Sequence, residues 1–514
     1  MSASLTATEA AKRIVVGSQS TRSLRQLLLY GGATLGVAVG IERVFSFLSS
    51  MMAARIGGPR TFGAYSVVLA TAGTIAAYAG AGIGTTANRF SGQYPRESPG
   101  YPRFVRALII IGVVSATVAG LLMLAGAGPL ARLVLRNEGL TTFLRLAAIS
   151  SAAMVLLECC RGLLVGQQRF HAVMVLSIIS GGGLIVVLPL TARISAGAMV
   201  AGQGALALLA VFCCVAFSRR LGIAPTSNGA GTSGPKLRPV FMFGLVQFSA
   251  LAGISIASWI MATLVARSDP SLKEMGLYAV ANQFRGLAAI APGLFIQVGY
   301  ALLTNESGEA YGGPRRVLLA NTFLTTSLAA IVAGLAMTFL PWILATAYGP
   351  SYVSGEIAVL LLLATALIHM AGMPAAHRLS IVSLRATGFI NATWAVLIVL
   401  LGLWLVPKAG AVGAAAAFLI AHAVGHSMVI IQLSRRDGLP AGYLPMSICA
   451  IIAAISLTFI GYLRAAAPLH VGGLTVAMLS VLSLFLLALF YLGVRTRCVP
   501  RSILERYRLR KAFT

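Results

Sequence analysis

The stretch Leu27–Ala54, LLLYGGATLGVAVGIERVFSFLSSMMAA, decides the fold. As a helix it measures about 42 Å at 1.5 Å per residue, longer than the hydrocarbon core of a bilayer. It is apolar on both sides of one charged pair, Glu42-Arg43. The chain before it is polar and basic, and the run is too long for a cleaved signal peptide, so the segment reads as a retained membrane helix.

The rest of the chain repeats the pattern. Of its 514 residues, 58% are hydrophobic and only 10% are charged, and 55 are glycine. A soluble protein cannot cover that much apolar surface with so few charges. Glycine-rich apolar helices suit a membrane bundle, where small residues let backbones approach. Transmembrane β-barrels need strands of period two, and the runs here are long and unbroken. The reading is an all-α integral membrane protein with about fourteen transmembrane helices, the count given by apolar runs of about 20 residues.

The net charge of +27 would point to nucleic acid on a soluble protein. On a membrane protein it is tested against the positive-inside rule. With the N-terminus placed inside, the inner loops and tails hold 27 of the 39 Lys and Arg, and the outer loops hold 9. The bias recurs from loop to loop. It places both termini in the cytoplasm and makes membrane lipids, not nucleic acid, the partner of the basic tail. Six cysteines form no C-x-x-C, so neither a disulfide framework nor a zinc site is read.

The polar stretch around Thr226–Pro235 is the longest interruption and reads as a flexible linker. It divides the chain into a tail (1–27), a six-helix bundle (28–217), the linker (218–239), a second six-helix bundle (240–433), two further helices (443–494) and a basic tail (495–514). The two bundles share a faint repeat. Ala54-Arg55 precedes Gly63-Ala64-Tyr65-Ser66, and Ala266-Arg267 precedes Gly276-Leu277-Tyr278-Ala279. Six helices per repeat keep both halves the same way up, related by a pseudo-two-fold along the membrane normal.

Residues Arg43 to Ser66, with Ala54-Arg55-Ile56-Gly57-Gly58-Pro59 and Phe62-Gly63-Ala64-Tyr65-Ser66, resemble the opening signature of Wzx-type polysaccharide flippases. Arg161–Phe170 resembles that family's loop between the fourth and fifth helices. Gly57-Gly58-Pro59 departs from the family's usual Leu-Gly-Pro. The resemblance implies two lobes around a cavity that opens alternately to each side. It also implies a substrate, undecaprenyl-pyrophosphate-linked oligosaccharide, moved across a bacterial inner membrane alongside a polysaccharide polymerase and export machinery. A multidrug or cation antiporter of the same superfamily is the first alternative. Its cationic cargo would want carboxylates, whereas the mid-depth charges here are two arginines and one glutamate. A polysaccharide polymerase or ligase is the second, and the short outer loops disfavour it. No catalytic set is read, so the chain is not taken for an enzyme.

Charges inside the membrane are costly and mark function. Arg43 is read as facing a cavity, with Ser46 and Ser50 at helical spacing on its face and Gly36 and Gly40 below. Tyr278, Asn282 and Arg285 fall at i, i+4 and i+7 of the eighth span. A guanidinium presents a planar fork that matches phosphate oxygens. Arg43 and Arg285 are therefore the candidate diphosphate ligands. Gln247, Trp259, Asn282 and Gln283 are candidates for the sugars. Glu42 is the candidate for coupling to H+ or Na+, and no cofactor is implied. His422 and His426, at i and i+4, are read as packing or hydrogen bonding between helices. Gly80-Ala81-Gly82-Ile83-Gly84 lacks a P-loop Lys-Ser/Thr and is read as a bend or a close helix contact.

Overall fold

The computed structural model describes residues 24–94, 98, 100–217, 237–304, 313–466 and 471–496. Most of the N-terminal tail, the linker and the basic tail read from the sequence lie outside these residues. The described chain is helical throughout, because hydrocarbon offers backbone groups no partner except each other.

Helix α1 (Leu24–Gly80) is two arms joined at Gly58, whose φ of 71° is left-handed and is followed by Pro59. There follow α2 (Ile83–Gln93), α3 (Tyr101–Pro129), α4 (Thr141–Gly166), α5 (Phe170–Ser177), α6 (Gly183–Ala192) and α7 (Ala196–Ala216). A π-turn, Ile178–Gly182, joins α5 to α6 as one pass. The second half has α8 (Leu237–Ser268), α9 (Lys273–Thr304), α10 (Pro314–Thr338), the short α11 (Leu340–Ile343) and α12 (Glu356–Val382). Helix α13 (Leu384–Arg436) is again two arms, broken at Ala409-Gly410, and α14 (Tyr443–Ala466) and α15 (Val471–Arg495) complete the described chain.

Ten segments are long and apolar enough to cross a membrane. Two of them, α1 and α13, are bent into two arms each, and the 32-residue helices α8 and α9 fall outside the ten. Helix α14 packs on α10 and α12, and α15 packs on α10 and α14. A buried ion pair ties α14 there: Arg464 reaches Glu356 at 2.8 Å and also donates to the carbonyls of Met337 and Thr338 at the end of α10.

The repeated glycines meet each other. A Cβ on Gly63 would lie 2.0 Å from the carbonyl oxygen of Leu272, four residues before Gly276, and a Cβ on Gly276 would lie 2.0 Å from that of Pro59, four residues before Gly63. This contact is reciprocal, as a two-fold axis between the two glycines would make it. Around it, Tyr352 donates to the Ala54 carbonyl at 3.1 Å, Asn137 to that of Pro270 at 3.2 Å, and Arg55 to that of Thr346. At the opposite end, a Cβ on Gly244 of α8 would lie 2.5 Å from the Ala81 carbonyl. The bend read from Gly80–Gly84 is present, with positive φ at Ala81 and Gly82, and its role is close packing. The halves thus touch at both ends of the bundle.

Candidate functional site

Between those contacts the halves meet along one seam, where α1 packs against α9. Phe47 of α1 meets Phe284 of α9 edge to face, with centroids 6.1 Å apart, and a Cβ on Gly36 would touch Leu294. The two helices therefore run antiparallel. On a helix turning about 100° per residue, Gly36, Arg43 and Phe47 fall within about 40° of one another. Arg43 thus points at the opposing half, yet it is exposed. A Cβ on Gly40 of the same stripe would meet nothing within 4 Å. Arg43 projects into an open gap. By the two contacts that frame it, it lies about 4 Å in depth from Arg285.

Glu42, one residue earlier, is turned about 100° away into the first half. It lines a cavity of about 520 Å³ with Ser46, Glu158, Arg161, Ser180 and Gln203. Arg161 clamps the Glu42 carboxylate and also reaches Glu158 at 3.4 Å, while Ser177 donates to Glu42 at 2.9 Å. The π-turn builds this arrangement. It brings the bare face of Gly181 against Glu42, where an added Cβ would lie 3.0 Å from the Glu42 Cγ, and presents Ser180 to Arg161. Hydropathy puts Arg161 after the end of the fourth span. It lies inside α4, which continues to Gly166. The i, i+3 pair Glu158–Arg161 is the local signal for it.

The second half holds a cavity of about 290 Å³ lined by Arg285, His369, Asn391, Trp394, Phe418, His422 and His426. Arg285 donates from Nε to Asn282 at 3.1 Å and stands over the Phe418 ring, 5.2 Å from its centroid. Its terminal nitrogens meet no acceptor among the described residues, and no carboxylate lines the cavity. The Trp394 ring nitrogen lies 3.3 Å from Nδ1 of His422, an interhelix contact of the kind expected there. His369, from α12, stands edge to face with His422, centroids 5.0 Å apart. No periodicity along α13 could have revealed that partner.

The other sequence candidates are placed as follows. Tyr278 is buried beside Phe418, and its carbonyl accepts from Asn282 at 3.3 Å. Gln283 accepts from Tyr348 at 3.0 Å. Trp259 donates to Thr71 at 3.1 Å and so bridges the halves. Ser50 donates back to the Ser46 carbonyl at 2.7 Å. The side chain of Gln247 lies outside those described.

The polysaccharide biosynthesis protein family has a model that matches residues 28–304. No curated protein matches the chain. Among solved structures, a lipid II flippase, MurJ, in an inward closed conformation superposes with a TM-score of 0.59 at 13% identity, over 90% of this chain and 98% of that one. A transporter of the MOP superfamily from Pyrococcus furiosus gives 0.56 at 13% identity, over 86% and 96%. An inward-facing multidrug resistance transporter of the MATE family gives 0.53 at 14% identity, over 77% and 95%. At these identities the likeness is one of fold.

Proposed function

The chain belongs to the polysaccharide biosynthesis protein family, and from that premise we propose that it is a flippase for undecaprenyl-pyrophosphate-linked oligosaccharide units. It is a multi-pass membrane protein with the fold of lipid flippases and multidrug transporters. In this reading it sits in a bacterial inner membrane with both termini cytoplasmic, does no chemistry of its own, and hands its cargo to a polysaccharide polymerase and export machinery.

The observation that carries the reading is the guanidinium of Arg285, held by a neutral partner in a cavity without a carboxylate. A buried charge without a counter-charge is costly, and an anionic ligand offsets that cost. Arg43 supplies the second cation from the open gap. The isoprenoid tail stays in lipid while the anionic head enters between the halves. Each end of the gap then opens in turn, where the Gly63–Gly276 and Gly82–Gly244 contacts separate. The antiporter reading finds less support, because the carboxylates of the first cavity, Glu42 and Glu158, are already bound to Arg161.

Replacing Arg285 with Ala tests the proposal. Export should be lost with membrane levels unchanged. Lys should rescue only in part, since a point charge cannot reproduce the fork. An Ala variant that exports normally would take Arg285 out of the site and the proposal with it.

A further inference from the structure

The cavity of the second half is more than a place for a positive charge. Its volume of about 290 Å³ lies at the small end of ligand sites, where one ring fits and an oligosaccharide does not. It contains one cation, Arg285. A diphosphate, with at least two charges spread over several oxygens, calls for more than one such fork. The remaining lining is of another character. Trp394 and Phe418 offer ring surface. Asn391 offers an amide, and three imidazoles offer donors and acceptors. His426 is 6% exposed, and neither of its ring nitrogens has a hydrogen-bond partner. Gly372 makes room for it, since a Cβ there would lie 2.2 Å from its Nδ1. Buried polar atoms are rarely left unpaired. Three histidines this close suggest a metal, but among the described residues no such group is arranged to hold one.

We infer that this cavity is a subsite for a single sugar ring bearing a carboxylate, with Arg285 taking the carboxylate, Trp394 the ring face, and Asn391 and His426 the hydroxyls. Aromatic surface suits the apolar face of a pyranose, and a carboxylate matches one guanidinium fork in both charge and shape. A neutral imidazole presents one donor and one acceptor, the pairing a hydroxyl wants. The inference rests on the flippase reading and narrows its cargo to units containing a uronic acid or a similarly acidic sugar.

The test is binding by the full-length protein in nanodiscs, followed by saturation-transfer NMR, with methyl glucuronide, methyl galacturonide, methyl glucoside and inorganic pyrophosphate as probes. At least one of the two uronides should bind about tenfold or more tightly than the glucoside, the effect of one hydrogen-bonded charge pair. Arg285→Gln should bring the uronides down to the glucoside's level, with a melting temperature like the parent's showing that the protein is folded. Trp394→Ala should weaken uronide and glucoside together. Equal binding of uronides and glucoside by the parent would overturn the inference. So would a preference that survives Arg285→Gln, or pyrophosphate displacing the bound uronide. These outcomes leave the flippase reading standing, because that reading falls only with the export assay of Arg285→Ala.

Discussion

Substituting Gly63 with Ala asks whether the reciprocal glycine contact is a gate. The new methyl would sit 2.0 Å from the Leu272 carbonyl oxygen and 2.8 Å from the Gly276 nitrogen, and both are backbone atoms that cannot rotate away. A Cβ needs at least 3.0 Å, so the halves must part by about 1 Å at this end. Overpacking of this kind costs about 1–3 kcal/mol, while Ala in a helix is intrinsically better than Gly by about 1 kcal/mol. The penalty therefore falls on the closed contact and not on the helix. As a bias between closed and open arrangements it amounts to about 5–150-fold. The assay uses a cysteine at position 40, where a side chain meets open space, in a background with the native cysteines replaced. A membrane-impermeant maleimide applied from the Gly63 side should label it faster in the Gly63→Ala protein by a factor in that range, and export should slow. Gly276→Ala should behave the same way, since its Cβ meets Pro59 at the same distance. Labelling and export at the parent's rates in both variants would show that this contact is not part of any gate.

Three further outcomes are expected. Glu42→Gln keeps the hydrogen-bond acceptor for Ser177 and Arg161 but removes the charge. If Glu42 couples transport, flipping in proteoliposomes should lose its response to an imposed pH gradient, whereas a parental response would make the Glu42–Arg161 pair a structural clamp. Arg464→Met leaves Glu356 buried without its partner and should cost about 3–5 kcal/mol of stability, with Glu356→Leu in the same chain restoring much of it; a single variant that melts with the parent would refute that. The hydrogen bonds from Arg378, at 2.7 and 3.1 Å, hold the Asp437 carboxyl below its ordinary range. Its contribution is complete above the unfolded value of about 3.9 and is lost as pH falls through the lower folded value. The melting advantage of the parent over Asp437→Asn should therefore be constant from neutral pH to about pH 4 and vanish below it, as thermal scans across that range will read.

Most of the architecture was legible because hydropathy and backbone satisfaction dominate in lipid. The apolar run through Glu42-Arg43, the break at Gly58-Pro59 and the bend at Gly80–Gly84 all sit where the residues put them. The likeness between Gly63-x-Tyr65 and Gly276-x-Tyr278 was visible as a repeat, but nothing in one dimension says that the two copies touch. The site was legible only in part. Arg161 was hidden because a hydropathy run ends at a charge, while a helix ends where its backbone bonds end, here five residues later at Gly166. His369 was hidden because an isolated histidine in an apolar helix carries no periodic signal. Its meaning comes from α13, which delivers His422 and His426 from more than fifty residues away. Gln283 and Trp259 have the right chemistry for a sugar, and what one dimension hides is that Tyr348 donates to the first and Thr71 accepts from the second.

The pair at the centre of the opening stretch gains its sense from the angle between its members. Adjacent residues on a helix diverge by about 100°, so Glu42 and Arg43 cannot face the same space. Glu42 enters the first-half cavity, where Arg161, Ser177 and Gly181 hold it from α4, α5 and the π-turn. Arg43 enters the gap, on the stripe that carries Phe47 and Gly36 against α9. One helical turn of α1 therefore belongs to both compartments. A rotation of that turn large enough to release Glu42 from Arg161 would carry Arg43 along the surface of α9. On the proposed flippase reading, a ligand that drew Arg43 deeper into the gap would pull on the Glu42 clamp through the same backbone. Neither charge alone would link the first-half cavity to the cleft. On that reading their adjacency on one helix would do so without any further element.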